Sequence, residues 1–277
     1  MKKITTLVAI VIILLIPAVM CGCTDKNDEK NTPAPKQTET QEIIYERNPD
    51  VKDPLRIGVP NVSLPPMIIW DKDDNLTGFE IDLISETAKR LGITYEIIPI
   101  DSGTEREKLE DDIIDCAWGQ MDTGKQRLFY GMTDPYITIP QALVIYEGSA
   151  IKDKSDINNI SVIMSTPAET LTDEDKIDIN FKRVSASRDY AKTFEQLADG
   201  YSDAVVCDRT IAVYMQNSDG NLKFLDEKAA EAQYSVAFSH SEDKMIKAVD
   251  KVLKDIFSGG ISSELSQKWF GQDYYIK

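Results

Sequence analysis

Residue types that commonly perform catalysis or bind metals are sparse in this chain. It has one histidine, His240, and four cysteines, of which Cys21 and Cys23 lie in an apolar N-terminal segment. A single histidine without a Cys/His cluster argues against a zinc site, and it argues equally against a histidine-activated nucleophile. We therefore expect neither a metal site nor a cofactor.

Polar residues at the ends of predicted strands are the next candidates for chemistry. The segment Ser165-Thr166-Pro167-Ala168-Glu169 is typical of a helix start, with Thr166 as N-cap, Pro167 at the first helical position and Glu169 completing a capping box. A helix N-terminus also binds anions. Asp208 ends another strand directly before a predicted helix, where aspartate is a common N-cap. The segment 165–169 therefore has both a structural and a binding interpretation, whereas the local sequence gives Asp208 a structural one.

Short apolar runs alternate with amphipathic patterns over most of the chain. They predict strands at 55–59, 94–100, 116–121, 160–164, 204–207 and 236–239, and helices at 81–91, 105–114, 190–197, 245–256 and 261–269. Strands that alternate with helices predict sheets covered by helices on both faces. About 225 residues would be large for one such sheet but suit two α/β lobes.

The N-terminus has the composition of an export signal. Lys2 and Lys3 precede an apolar run, residues 4–20, and Gly22-Cys23 follows it. This end resembles a lipobox, which predicts removal of residues 1–22 and lipidation of Cys23. Cys21 is the other candidate for the lipid. An uncleaved anchor is the alternative, because the run is just long enough to span a bilayer. Either way, the two lysines stay inside and the rest lies outside the cell membrane.

Residues 23–52 are predicted to be a lipidated N-terminus followed by a flexible tether, because they are polar and offer almost no apolar face. The formal net charge is −16 for the whole chain, and it becomes −18 once the two lysines of residues 1–22 are removed. A chain this acidic lacks the electrostatic signature of a nucleic-acid-binding protein. The simplest interpretation of the charge is solubility outside the cell.

Cys116 and Cys207 each fall in a predicted buried strand. An exported protein can form disulfides, but spacing alone does not pair these two. We expect two buried free thiols, which would pack as small apolar side chains.

Short segments along the chain follow an order that is typical of a known family. They are Leu55-Arg56-Ile57-Gly58-Val59, Leu64-Pro65-Pro66-Met67, Gly78-Phe79-Glu80-Ile81-Asp82-Leu83, Asp115 through Arg127, Thr133-Asp134-Pro135-Tyr136, Ser165-Thr166, Asp203-Ala204-Val205-Val206-Cys207-Asp208-Arg209 and Lys268-Trp269-Phe270-Gly271. Each is weak alone. In this order they make the chain from Leu55 onward resemble the polar amino-acid-binding proteins of ABC importers, the bacterial extracellular solute-binding family 3.

The resemblance implies an α/β, two-lobe type II periplasmic-binding-protein fold with two hinge crossings. Lobe 1 would combine residues 53–140 with 234–277, and lobe 2 would be residues 141–233. Ligand would bind between the lobes, which then close over it. Cys116 and Cys207 would lie in different lobes, where a disulfide would lock the hinge.

The resemblance also implies which residues contact an amino-acid ligand. Arg127 stands where the family has an arginine that binds the ligand carboxylate, and a guanidinium fork matches carboxylate geometry. Thr166 would contact the same carboxylate, with Ser165 beside it. Against this, Pro167 lacks an N–H and Glu169 adds a negative charge nearby. Asp208 would bind the ammonium.

Other positions depart from the family pattern. Gln120 stands where glycine is usual, and Asp122 where serine or threonine is usual. Asp122 is expected either to strengthen the ammonium site or to be a solvated loop acid. Leu64 and Ser102 replace aromatic residues that commonly stack on the ligand, and Trp118 either supplies that apolar wall or packs in the core. The sequence therefore does not identify the ligand, and it allows one that is not a standard amino acid.

The expected function is an extracytoplasmic lipoprotein, monomeric and anchored to the membrane by lipid, that hands a small polar solute to an ABC permease. A binding module for a membrane sensor is an alternative. So is an enzyme resembling cyclohexadienyl dehydratase, in which acids in the cleft would supply general-acid chemistry. No second catalytic group stands out, and a tether suits delivery to a membrane partner. We therefore expect no enzymatic activity and no nucleic-acid partner.

Overall fold

The computed structural model describes residues 44–173, 176–177 and 179–272. The predicted signal segment, Cys23 and most of the predicted tether lie outside the described residues. Within them, the strands are β1 (Leu55–Pro60), β2 (Ile69–Trp70), β3 (Leu76–Thr77), β4 (Tyr95–Ile100), β5 (Cys116–Ala117), β6 (Gly131–Met132), β7 (Ile137–Tyr146), β8 (Asn159–Ile163), β9 (Arg183–Ser187), β10 (Ala204–Asp208), β11 (Leu222–Tyr234) and β12 (Ala237–Phe238). The helices are α1 (Phe79–Leu91), α2 (Glu105–Glu110), α3 (Pro167–Asp173), α4 (Tyr190–Ala198), α5 (Arg209–Ser218), α6 (Asp243–Ser258) and α7 (Ile261–Phe270).

Two separate sheets form the centres of two lobes. The lobe 1 sheet has the order β4-β1-β5-β12-β6, and the lobe 2 sheet has the order β11-β7-β10-β8-β9. β1 is parallel to β4 and β5, and β8 is parallel to β9 and β10. The strands that carry the chain into and out of lobe 2, β7 and β11, pair antiparallel. This arrangement confirms the predicted two-lobe α/β fold.

Helices cover the lobe 1 sheet because each has one apolar face. The buried residues of α1 include Phe79, Leu83 and Leu91, which join Ile57 and Val59 of β1 in one core. Gly92 ends α1 as its C-cap, with φ 65° and ψ 33°. Helices α1, α6 and α7 pack together on this side. A smaller apolar cluster lies elsewhere in lobe 1, where α2 packs against β5.

The chain crosses between the sheets twice. It leaves the lobe 1 sheet after Met132 and enters lobe 2 at Ile137, and it returns between Tyr234 and Ala237. Tyr136 N donates to Tyr234 O at 2.9 Å, so the two crossings run side by side. Two adjacent crossings are the arrangement of a hinge between lobes.

Two neighbouring elements of lobe 1 end well before their predicted last residues. The helix predicted at 105–114 ends at Glu110, and the strand predicted at 116–121 contains only Cys116–Ala117. The strand stops because the backbone turns at Gly119, with φ 110°, and at Gln120, with φ 57°. The buried free thiols are confirmed: Cys116 lies in β5 of lobe 1 and Cys207 in β10 of lobe 2. None of the described helices is both long enough and apolar enough to cross a membrane.

Candidate ligand-binding site

A cavity of about 290 Å³ lies between the lobes. Several of its walls are the loops that follow the carboxyl ends of parallel strands in both sheets, where α/β folds commonly bind ligands. Its lining residues are Pro60, Asn61, Val62, Leu64, Ser102, Gly103, Glu105, Gly119, Gln120, Met121, Asp122, Gln126, Phe129, Tyr130, Met164, Ser165, Thr166, Pro167, Thr170 and Arg188.

Gln120 connects this cavity to the second lobe. Its side chain is 5% exposed, and Nε2 donates to Asp208 Oδ2 at 2.6 Å. That bond fixes the amide orientation, because a carboxylate oxygen accepts only from the NH₂ group. The other amide atom, Oε1, is buried and has no hydrogen-bond partner among the described residues. A buried acceptor of this kind is usually paired, and the buried Tyr190 hydroxyl lies beside the same side chain.

Asp208 lies behind Gln120 and is only 2% exposed. Besides the bond from Gln120, it accepts from Gln141 Nε2 at 2.6 Å and from Tyr234 Oη at 2.7 Å to each oxygen. Asp208 is the N-cap residue of α5 by position, as expected, but its side chain makes no capping hydrogen bond. Asp208 is not among the described residues that line the cavity, whereas Gln120, which bonds to it, is.

Burial of Asp208 has an electrostatic consequence. Desolvation raises the pKa of Asp208 to about 6; the hydrogen bonds from Tyr234, Gln141 and Gln120 act in the opposite direction, and the charge of Asp122 raises it further. Asp122 itself is 9% exposed, lines the cavity and forms an isolated β-bridge with Tyr234. The floor of the cavity is therefore rich in acceptors and negative charge.

Trp118 is part of the core of lobe 1. It is fully buried, and its Nε1 donates to Glu80 Oε2 at 2.9 Å. Tyr136 Oη also donates to Glu80, at 2.8 Å and 3.0 Å. Burial raises the pKa of Glu80 to about 7, although these hydrogen bonds oppose the shift. Of the two interpretations of Trp118, the structure favours core packing.

The positions expected to stack on a ligand also line the cavity. Leu64 lines the cavity, and so does Ser102. The aromatic side chains that line it are Phe129 and Tyr130, which sequence reasoning missed. Their position in the sequence could have identified them, because they follow shortly after Arg127, the residue expected to bind the ligand carboxylate.

The lobe 2 wall contains Ser165 and Thr166 as expected. Pro167 is the first residue of α3, also as expected. The predicted capping box is wrong, because its two side chains bond to other groups. Thr166 Oγ1 donates to Ile163 O at 2.7 Å, and Glu169 Oε2 accepts from Ser165 N at 2.7 Å. Ser165 reaches this position with φ 59°, a conformation that is rare for residues other than glycine.

Arg127 is not brought to the cavity. It lies in a single 3₁₀ turn, Lys125–Leu128, and its Nη2 donates to Thr133 O at 2.9 Å and lies 3.8 Å from Asp134 Oδ1. The preceding residue, Gln126, lines the cavity instead. The role of Arg127 as a carboxylate clamp stays a prediction.

Arg188 is the one cationic residue among the described residues that line the cavity. It follows β9 and precedes Asp189, the N-cap of α4. Sequence reasoning missed it, although its place after a strand parallel to β8 is the kind of position that reaches a cleft.

Comparison with known proteins gives a consistent result. Residues 55–272 match the family model of bacterial extracellular solute-binding proteins, family 3. The chain is 23% identical to the ABC transporter glutamine-binding protein GlnH and 25% identical to the L-cystine-binding protein TcyA, both of Bacillus subtilis (strain 168), and each alignment covers 99% of both chains. An ABC uptake transporter substrate-binding protein from Streptococcus pneumoniae with bound histidine matches with a TM-score of 0.72 at 22% identity, over 80% of this chain and 94% of that one.

Proposed function

The chain belongs to the bacterial extracellular solute-binding proteins, family 3, and on this premise we propose that it captures an amino acid for an ABC importer. The observation that carries the proposal is the cavity between the lobes, which both lobes line with polar residues. A zwitterionic ligand needs acceptors near its ammonium and a donor near its carboxylate. The acceptors Gln120 and Asp122 and the cation Arg188 satisfy both needs.

The proposed contacts come from both lobes. Gln120 and Asp122 face the ammonium from lobe 1, and Asp208 acts on it through Gln120. Ser165 and Thr166 contribute polar contacts from lobe 2. Leu64 packs beside the ligand as part of an apolar wall that includes Phe129 and Tyr130.

Ligand capture is coupled to lobe closure in this proposal. A ligand that touches both lobes binds the closed form more tightly than the open form, and this difference shifts the equilibrium toward closure. The bond from Gln120 of lobe 1 to Asp208 of lobe 2 supports the idea, since it joins the two lobes beside the cavity.

We also propose that the protein is a lipoprotein anchored to the membrane. Cys23, directly after Gly22, would carry the lipid, and the polar segment after it would hold the monomeric binding domain near its permease, outside the cell. Mass spectrometry of the mature N-terminus tests this. A lipid-modified Cys23 is expected, whereas a chain that still begins at Met1 would contradict cleavage.

A thermal-shift screen of the full chain tests the function. The probes are the twenty standard L-amino acids and L-cystine, with D-glucose as a neutral control. A ligand at about a hundredfold excess over its Kd stabilises the folded protein by about 2.7 kcal/mol, which corresponds to a Tm rise of roughly 5–10 °C. At least one amino acid should produce such a rise, and D-glucose should not. If no amino acid raises the Tm, the proposal is overturned. NMR analysis of the same samples tests the alternative of an enzyme, which would convert a probe into product.

A further inference from the structure

One side chain of lobe 1 reaches directly into lobe 2. Gln120, in the loop after β5, donates from Nε2 to Oδ2 of Asp208 at the end of β10, over 2.6 Å. Its amide also lies beside the hydroxyl of Tyr190, the first residue of α4. Gln120 is 5% exposed and Asp208 is 2% exposed, so water is nearly excluded from this contact. A hydrogen bond to a carboxylate is stronger than one between neutral groups.

The other donors to Asp208 belong to the lobe 2 sheet. Gln141 of β7 donates to Oδ1, and Tyr234 of β11 donates to both carboxylate oxygens. These bonds hold the carboxylate in one orientation, with Oδ2 facing lobe 1. Separation of the lobes would therefore break the bond from Gln120 and leave the bonds within the lobe 2 sheet intact.

The backbone at Gln120 needs support from its surroundings. Its φ is 57°, in the left-handed region that favours glycine. A residue with a side chain keeps this conformation only where neighbouring groups stabilise it. The contacts of the Gln120 amide with Asp208 and Tyr190 supply that stabilisation, and they come from the opposite lobe.

The lobes also approach each other at a second place on the cavity wall. Gly103 of lobe 1 lies so near Ser165 of lobe 2 that an added Cβ would be 3.8 Å from Ser165 Oγ, which is ordinary van der Waals contact. Gly103, Ser165 and Gln120 all line the cavity. Of the two contacts between the lobes, the one made by Gln120 is the directional one, because it is a hydrogen bond.

We propose that Gln120 is a latch between the lobes, which favours their closed arrangement before any ligand binds. The inference goes beyond the proposed function, since it concerns the protein without ligand. Opening breaks the bond from Gln120 to Asp208, so the equilibrium between closed and open forms depends on this one side chain. A ligand that binds only the closed form then meets a larger competent fraction, which lowers its apparent Kd.

Pulsed EPR on the full chain without ligand tests the latch by measuring the distance between the lobes. Spin labels are attached at Glu107→Cys in α2 and at Lys192→Cys in α4, which are exposed positions on lobe 1 and lobe 2. The native cysteines do not interfere, because two are buried and the two N-terminal ones are replaced by serine in every sample.

The variants change the latch in different ways. Gln120→Glu keeps the size of the side chain but replaces its NH₂ donor with an oxygen that faces Asp208. Gln120→Gly removes the bond without adding charge, and glycine suits the positive φ. Combining Gln120→Glu with Asp208→Asn exchanges donor and acceptor, while the amide oxygen at position 208 can still accept from Gln141 and Tyr234. Gln126→Glu is the matched control, because Gln126 lines the cavity from lobe 1 but is not one of the described donors to Asp208.

At about pH 8, where Asp208 is ionised, wild type should show mainly the shorter distance. Gln120→Glu and Gln120→Gly should each lower the ratio of short to long distances about tenfold or more, the effect expected for a hydrogen bond to a charged group. The double variant should return the ratio towards the wild-type value, and Gln126→Glu should match wild type.

Three results would overturn the inference: an unchanged ratio in both single variants of Gln120, a wild type in which the longer distance predominates, or a double variant that stays as open as Gln120→Glu. In the last case the bond to Asp208 would not be the cause of closure. Because these measurements use no ligand, they stand even if no amino acid raises the Tm. Failure of the latch and failure of the proposed function are therefore distinguishable.

Discussion

At the scale of single residues, Asp122 tests whether the cavity floor binds an ammonium group. The Asp122→Asn variant keeps the shape of the side chain and removes its charge. We expect it to weaken an amino acid by about 1.5–3 kcal/mol, the range for a hydrogen bond to a charged group. The deaminated carboxylic analogue has no ammonium to lose and should change much less. Calorimetry with both ligands measures the difference, and equal changes would mean that Asp122 does not contact the ammonium.

Some cavity residues were predictable from the sequence, and the reason is positional. Gln120, Asp122, Ser165 and Thr166 follow the carboxyl ends of strands, which the apolar runs identify. The structure places all of them on the cavity. Their contact with a ligand remains part of the proposal.

The direction of a side chain was harder to predict than its place along the chain. Arg127 lies in a 3₁₀ turn, where neighbouring residues point about a third of a turn apart. A displacement of one residue therefore exchanges a cavity residue, Gln126, for one that points to Thr133 and Asp134. Trp118 shows the same limit after a strand, since it packs on Glu80 within the core.

At the scale of elements, the hinge strands β7 and β11 were not predicted. Residues 226–233 of β11 are rich in Ala, Glu, Lys and Gln, which favour helices. They form a strand because they pair with β7, with register shifts between Phe224 and Asp226 and between Asp226 and Ala230. Strand preference depends on neighbours more than helix preference does, so local composition gave no signal here. The helices α1, α4 and α6 were predictable because their apolar faces repeat clearly.

The start of α1 depends on the absence of a side chain at Gly78. Its φ is 136°, and an added Cβ would lie 2.2 Å from the backbone oxygen of Met67. Gly78→Ala should therefore lower the free energy of unfolding by about 2–4 kcal/mol, from strain and from displaced backbone. Urea denaturation measures the change. The control is Gly220→Ala, where an added Cβ meets nothing within 4 Å, and the change should stay within about 0.5 kcal/mol. Similar values for both variants would contradict the steric argument.

At the scale of the whole molecule, two buried carboxyl groups lie where the hinge crossings meet the lobes. Glu80 of α1 accepts from Tyr136 at the first crossing, and Asp208 of β10 accepts from Tyr234 at the second. Burial, the largest cause in each case, raises the pKa of Glu80 from 4.5 to about 7 and the pKa of Asp208 from 3.8 to about 6. The folded protein therefore keeps these protons to a higher pH than the unfolded chain does.

This difference predicts that the protein becomes less stable as the pH rises from about 4.5 to about 7. One pKa unit corresponds to about 1.4 kcal/mol, so Glu80 alone accounts for roughly 3 kcal/mol. Carboxylates whose pKa is lowered in the folded protein, such as Asp115 and Asp134, have the opposite effect on stability. The stability that they contribute is lost as the pH falls, in more acidic solution. Urea denaturation at pH values from 4.5 to 7.5 measures the slope. Glu80→Gln removes the titrating group and keeps an acceptor for Trp118 and Tyr136, so the slope should become shallower.

The matched control for this prediction is Glu264→Gln, an exposed glutamate in the first turn of α7, which should keep the wild-type slope. If Glu80→Gln and Glu264→Gln behave alike, the buried proton is not on Glu80. In Glu80→Gln, a slope of about half the wild-type size would fit the remaining contribution of Asp208. Ionisation of either carboxyl group lowers the stability of the folded protein. The two pKa values also set the order of ionisation, since Asp208 loses its proton while Glu80 is still protonated, and the charge of Asp208 then raises the pKa of Glu80. The Glu80→Gln variant should therefore leave the midpoint of the remaining Asp208 transition close to its wild-type pH.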